Sequence, residues 1–409
     1  MILEKNICID NVMLKVSPRN KKNSLQFLPD ILLDISESKN FFYKNQKLKS
    51  EYLIDIVHNL LLKYYFKKEN SFTLSSVILK DKYGYLYNYY IDYLKEQKIL
   101  ILQKNYLKGS NSRIYNLNES IFSGNIHRYR NNDKVLLKKY ITKHLQFELD
   151  KNSIIDKNIK KKLVNDLYSV RIDIERSIFY LDSLKNEDID IYNRNRYSVE
   201  SINDKHIFYH FDSYGRMHTN FTILKSFIRK NCLLIDDEET CEIDINNSQP
   251  LFLSKLILDS NTKWVKSDEF NLFFLLVKNG TYYQYIIDNL NLKNKSDAKE
   301  LTYKVFFGQN RDNSKYDKLF SSLFPTIHNF IKLYKKEHND YRILAYDLQK
   351  AESNLIFNNI IRKVMIFNPD IKIVTVHDSI IIPKKWKKEV SNIFYQEIFD
   401  NFDAELIVE

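Results

Sequence analysis

The 409-residue chain predicts an α+β protein of two or three domains, and three observations carry that expectation. Residues 49–118 read helix, helix, helix, strand, basic loop, strand. From Ile207 onward strands alternate with helices. Within that second half, two β-branched strands each end on a carboxylate: Cys241-Glu-Ile-Asp-Ile-Asn-Asn-Ser-Gln-Pro around Asp244, and Ile371-Lys-Ile-Val-Thr-Val-His-Asp-Ser-Ile around Asp378. A carboxylate in an apolar strand is costly unless a cation or strong donors hold it. For one such residue the plain reading is a strand-end Asp capping the next helix; two of the same kind ask for a shared explanation.

Composition narrows the classes. A 44% hydrophobic and 14% aromatic content supports a sizeable core and argues against disorder. Three cysteines (Cys8, Cys232, Cys241) without a CxxC pair speak against a disulfide scaffold or zinc site and fit a reducing, cytoplasmic compartment. The N-terminus Met-Ile-Leu-Glu-Lys-Asn lacks a signal core, and no apolar run is long enough to span a bilayer, so no membrane partner is expected. The net charge of +11 suits a polyanion. Heavy use of Lys, Asn, Ile and Tyr also reads as an AT-rich coding bias, so the placement of the basic residues weighs more than their sum.

Along the chain, a short strand pattern near Ile7–Val16 precedes a helix over Glu51–Phe66. Thr73-Leu-Ser-Ser is an N-cap signature opening a helix to Lys82, which Gly84 ends. A third helix, Tyr85–Gln97, leads to strands Ile99–Gln103 and Ile114–Leu117 around a basic loop. That order is a winged helix, whose third helix can enter a major groove while the loop touches backbone; Tyr85, Tyr87, Asn88, Lys95, Lys104, Lys108 and Arg113 would be the contacts. The plainer use of such a module is protein docking or spacing. Residues 119–132 read as a linker, followed by helices Asp133–Leu149 and Asp156–Leu181 with lysine runs that are either a solvated face or a grip on a duplex backbone. Domains are accordingly expected at 1–48, 49–118, 119–204 and 205–409.

In the last of these, helices are predicted over Pro250–Leu258, Ser267–Lys278, Tyr282–Leu290, Ser296–Phe307, Leu319–Lys335 and Leu344–Ile366, with a closing helix Trp386–Phe402 and strand Glu405–Glu409. The two carboxylate strands are expected in one mixed sheet, with an antiparallel turn at His377-Asp378 bringing Asp378 to Asp244. Two converging carboxylates repel unless divalent cations lie between them, and oxygen-only ligands favour two Mg²⁺ or Mn²⁺ ions. Such a pair supports in-line displacement at phosphorus. Lys295, Lys299, Tyr303 and Phe307 recur every four residues on one helix, placing two cations and two rings on a single face, and Gly308 ends it. Singly, each has a plainer reading: surface lysines, a core aromatic stripe, a turn histidine at His377.

Asp244 with its polar turn, Lys299 with Phe307-Gly308, and Val376-His377-Asp378 together resemble motifs A, B and C of the family A DNA polymerases and single-subunit phage-type RNA polymerases. Asp212-Ser-Tyr-Gly-Arg216 is similar to their upstream Gly-Arg element, in the same order. The resemblance covers residues 205–409 and implies a right-hand palm and fingers (fingers about 260–345), preceded by a helical thumb-like segment. It implies Asp244, Asp378 and the Ile245 carbonyl as metal ligands, and Lys295 and Lys299 on the triphosphate, with Lys299 protonating pyrophosphate. Tyr303 and Phe307 would pack on the nucleotide; Arg216, Gly308, Gln349 and His377 would lie along the duplex. Departures are Lys295 where Arg is usual, Phe307 where Tyr is usual, and Gln249 five residues after Asp244, where DNA-polymerising relatives carry Glu and RNA-polymerising ones Gly. A bulky Gln249 and a hydroxyl-free Phe307 favour dNTPs over NTPs, hence a primer-template DNA partner. Asp-x-x-Gly-Arg and His-Asp-Ser look more like the RNA enzymes. An RNA polymerase or primase, and a non-catalytic DNA-binding replication initiator, are the alternatives.

Overall fold

The computed structural model describes residues 24–67, 70–105, 113–118, 121, 126–139, 154–207, 209–260, 267–310 and 314–402. These fall into two units. One is drawn from residues 24–139, 172–207 and 223–232, the other from 154–171, 209–222 and 233–402. Among the described residues no helix is long and apolar enough to cross a membrane.

The first unit begins with β1 (Ser24–Pro29) and the hairpin β2 (Asn40–Tyr43) and β3 (Gln46–Lys49), followed by α1 (Ser50–Lys67). On α1 the residues Leu53, Ile54, Val57, Leu60 and Leu61 follow helical spacing and are all buried. Asp55 shares their interior, where it accepts from the Gln26 amide and the Tyr83 hydroxyl, both at 2.6 Å, and pairs with Lys82 at 2.7 Å. Next come β4 (Phe72–Thr73), α2 (Ser76–Tyr83), α3 (Tyr87–Glu96), β5 (Leu100–Lys104) and β6 (Ile114–Leu117), the strands ordered β4-β6-β5. Gly84 stops α2 at φ +81°, a left-handed value that glycine tolerates.

Strand β7 (Ile126–Asn131) pairs antiparallel with β1 along its whole length, which corrects the expected linker at 119–132. Its His-Arg-Tyr-Arg core carries no apolar alternation, so only the partner strand reveals it. The run Asp156–Leu181, expected as one helix, is also broken. Helix Lys157–Asp166 ends before the three-residue strand β8 (Val170–Ile172), and Asp173 caps a new helix, Ile174–Glu187, by accepting from the Arg176 amide. Asp188 caps a further helix, Ile189–Asn203, in the same way.

The second unit holds the hairpin β9 (Tyr209–Phe211) and β10 (Met217–Thr219), then a sheet in the order β13-β14-β12-β11-β8. Its strands are β11 (Leu233–Ile235), β12 (Glu238–Asp244), β13 (Val374–Val376) and β14 (Ser379–Pro383). The pairs β11-β12, β12-β14 and β13-β14 are all antiparallel, so this part of the sheet is not mixed as expected. Between β12 and β13 run α4 (Ser248–Asp259), α5 (Asp268–Lys278), α6 (Tyr282–Leu290), α7 (Lys295–Phe307), α8 (Lys315–Leu323), α9 (Pro325–Glu337) and α10 (Ile343–Ser353). The single helix expected over Leu319–Lys335 is two, because Pro325 cannot continue α8 and instead starts α9. α10 runs on through a π-helical stretch, Asn354–Ile361, to Phe367. α11 (Lys387–Phe402) follows β14. The strand patterns at 7–16 and 405–409, and Lys108, lie outside the described residues.

Candidate active site

Hairpin geometry brings the two carboxylates to one end of the sheet. β14 lies between β12 and β13, with Asp244 opposite Ser379 on one side and Val376 opposite Ser379 on the other. Asp378 is thus the last residue of a two-residue turn, one position from the cross-strand partner of Asp244. His377 opens that turn at φ +56°, which keeps the strands' twist through so short a connection. The flanking Ile243 and Ile245 are buried while Asp244 and Asp378 are half-buried. Asn247, left-handed at φ 54°, turns the chain from β12 into α4. Among the described residues no group of three or more His, Cys, Asp or Glu is arranged to hold a metal.

The residue that organises the surroundings is Glu352, near the end of α10, and no motif singled it out. It is 1% exposed. Its Oε1 accepts from Arg216 Nε at 3.0 Å and Nη2 at 2.5 Å. Its Oε2 accepts from the Ser248 hydroxyl at 2.9 Å and from the Gln249 amide. Burial and the neighbouring Asp378 charge push the Glu352 carboxyl up to about 7, against the pull of Arg216. Asp378 is likewise held above the ordinary carboxylate range by burial, opposed by the charges of Arg216 and Lys299 and by a bond from Ser248. Ser248 therefore stands between two carboxylates with one proton to donate. A signal for Glu352 did exist: it continues the buried Leu344–Leu348 row at four-residue spacing, an acid where the helix buries its apolar side.

Arg216, expected along a duplex, is turned inward to this carboxylate, with only 17% of its side chain exposed. The turn that delivers it explains the Asp-x-x-Gly-Arg pattern physically. Asp212 Oδ1 accepts from the amides of Tyr214 and Arg216, both at 2.9 Å, and Oδ2 meets His218 Nε2 at 2.8 Å. Although burial pushes the other way, these bonds hold the Asp212 carboxyl below its usual range. Gly215 sits at φ +88°, where a Cβ would lie 2.8 Å from the Ile154 side chain and 3.2 Å from Ser353 Cβ. His218 in turn places its ring 6.0 Å from that of His377.

Helix α7 presents the expected face. Ala298, Leu301, Thr302, Val305 and Phe306 are buried, while Lys295, Lys299 and Tyr303 are exposed and Phe307 half-exposed. The rings of Tyr303 and Phe307 stack at 5.4 Å and 15°. They form a surface pair, not a core stripe. Asn294 caps the helix by accepting from the Asp297 amide at 3.1 Å. Tyr283 on α6, which sequence reasoning passed over, joins the site: Lys299 Nζ lies 5.7 Å from its ring centre, its hydroxyl is bonded with that of Tyr303, and burial together with Tyr303 raises it. Tyr303 is raised by burial and by the charges of Asp378 and Glu352, so the helix faces the carboxylates.

Gly308 has an ordinary φ, and its role is local. A Cβ there would come within 2.2 Å of the Lys304 carbonyl, and its own carbonyl accepts from buried Lys335 at 2.8 Å. Gln349 lies three residues before Glu352 on α10, half-buried.

No family model and no curated protein matches this chain. A solved structure, the polymerase domain of Pol1 from M. smegmatis in complex with DNA primer-template and dNTP, is similar with a TM-score of 0.40 and 10% identity. The similarity covers 56% of this chain and 54% of that one, about half its length. So distant a likeness assigns neither family nor activity.

Proposed function

We propose that the chain is a template-directed polymerase that adds nucleotides to a 3′-hydroxyl, with dNTPs as the favoured substrates. The observation that carries this reading is the meeting of Asp244 and Asp378 at one sheet end, with the Lys299 charge bearing on Asp378. Burial is the first cause that holds the Asp378 and Glu352 carboxyl groups above their usual range, and a divalent ion beside Asp378 would favour its ionised form. Asp244, Asp378 and the Ile245 carbonyl would hold Mg²⁺ or Mn²⁺. When bound, such ions lower the energy of the attacking alkoxide and the departing phosphate oxygens.

The remaining work falls to side chains. Lys295 and Lys299 hold the triphosphate at the N-terminal turns of α7, whose dipole favours the same anion. The 3′-hydroxyl releases its proton to solvent water as its oxygen attacks the α-phosphorus, the bond to the bridging oxygen breaks, and Lys299 passes a proton to the leaving pyrophosphate. The stacked Tyr303 and Phe307 pack on the base and sugar. Gln249, bulky and five residues after Asp244, turns away a ribose 2′-hydroxyl. The helix-strand-helix-helix-strand-strand order of residues 50–117 supports a winged helix that brings DNA, through exposed Tyr85, Asn88, Lys104 and Arg113.

Primer extension with Mg²⁺, offering dNTPs and NTPs separately, tests the reading. Extension with dNTPs is the expected result. Extension with NTPs alone would move the assignment to an RNA polymerase or primase, and incorporation of neither would leave a DNA-binding initiator.

A further inference from the structure

We propose that Glu352 is a positioning residue for sugar selection: it fixes Gln249 in the first turn of α4, five residues after Asp244, and this tether, more than the bulk of Gln249, excludes the ribose 2′-hydroxyl. The inference rests on the polymerase reading above and deepens it.

Gln249 is 6% exposed, and its amide nitrogen donates to Glu352 Oε2. A glutamine has three side-chain torsions, so an untethered one sweeps a volume and blocks a small hydroxyl only part of the time. Glu352 can act as a fixed post because it is itself immobilised. Two guanidinium nitrogens of Arg216 hold one oxygen, and the Ser248 hydroxyl shares the other with Gln249. Arg216 is in turn set by the Asp212 turn. One carboxylate so joins the β9-β10 hairpin, the β12-α4 junction and α10. All four donors need acceptors. A methionine at 352 has nearly the same volume and offers no oxygen to any of the four. The tether is then lost while side-chain volume is kept.

The test compares kcat/KM for dNTP and NTP in primer extension by wild type, Glu352→Met, Gln249→Gly and the double variant. Expected is a dNTP:NTP preference that falls roughly tenfold or more in Glu352→Met, by a similar factor in Gln249→Gly, and no further in the double variant. A residue that merely stabilised the fold would depress both sugars equally and leave the ratio alone; that result overturns the proposal, as do additive effects in the double variant. Wild type that extends with both sugars equally well removes the gate but leaves the polymerase reading standing. Wild type that incorporates neither removes both. If Glu352→Met shows no folded melting transition, Gln249→Met supplies the answer, keeping bulk without the amide. A ratio that falls as it does for Gln249→Gly supports the tether, and one at the wild-type value overturns it.

Discussion

Lys335→Met isolates how the fold holds the C-terminal end of α7. Lys335 is 3% exposed, and its ammonium donates to the carbonyls of Val305 at 2.7 Å and Gly308 at 2.8 Å, two groups the helix end cannot satisfy alone. Burial lowers its pKa from 10.5 to about 8, with Asp317 opposing. Methionine fills the space but leaves both carbonyls unpaired, a loss of roughly 2–5 kcal/mol, partly offset because a buried ammonium no longer has to be desolvated. A net destabilisation of about 1–2 kcal/mol at pH 7 is expected. The sign of its pH dependence is distinctive. With a folded pKa below the unfolded one, the unfolded chain keeps a proton that the folded protein releases, so wild-type stability rises between about pH 8 and pH 10.5. At pH 9.5 that is about 2 kcal/mol, from 1.36 kcal/mol per unit. Urea unfolding of both proteins at pH 7 and 9.5 measures it, and the gap between them should widen with pH. A gap that stays constant or narrows would refute the reasoning. Because Phe307 is the last residue of α7, nucleotide KM should also rise several-fold in the variant.

Asp378→Asn should reduce incorporation at least a thousandfold while leaving duplex binding nearly unchanged, since metal positioning and not affinity is lost; equal activity in primer extension would remove Asp378 from the chemistry. The same variant relieves Glu352 of a like charge, so the metal-free melting temperature should rise, not fall. In the first unit, burial lowers His58 to about 4, and its Nδ1 accepts from the Phe27 amide at 3.0 Å. The unfolded chain takes up this proton near pH 6.5 and the folded one only near 4, so up to about 3 kcal/mol is lost as pH falls through that window. His58→Gln, which keeps an acceptor, should flatten the dependence in urea titrations at pH 7 and 5; an unchanged slope would show that other groups carry it. Arg113→Ala should weaken DNA binding and reduce the log-log salt slope by about one, read by fluorescence anisotropy at several salt concentrations. No change in either would take this loop off the backbone.

How much was legible follows from where the information lies. Helical spacing located α1, α5, α6 and α7 to within a residue or two, because each buries one continuous stripe of its own residues against a core. The motif carboxylates, the α7 face and the Gly84 stop were readable for the same local reason. β7 was not, since a polar strand such as His-Arg-Tyr-Arg exists through its pairing with β1. The break at β8 escaped notice because three residues are too few for a period.

Sequence by itself determined the local placement of the side chains: Asp244 and Asp378 at the ends of apolar strands, and two lysines and two rings on one helical face. Only tertiary structure decided what surrounds them. Arg216 turns inward, Tyr283 joins Tyr303, and Glu352 draws Arg216, Ser248 and Gln249 onto one buried carboxylate. These partners lie more than 60 residues apart or on different elements, and a hydrogen bond between them leaves no periodic trace in the chain; it arises only when burial removes water as the competing partner.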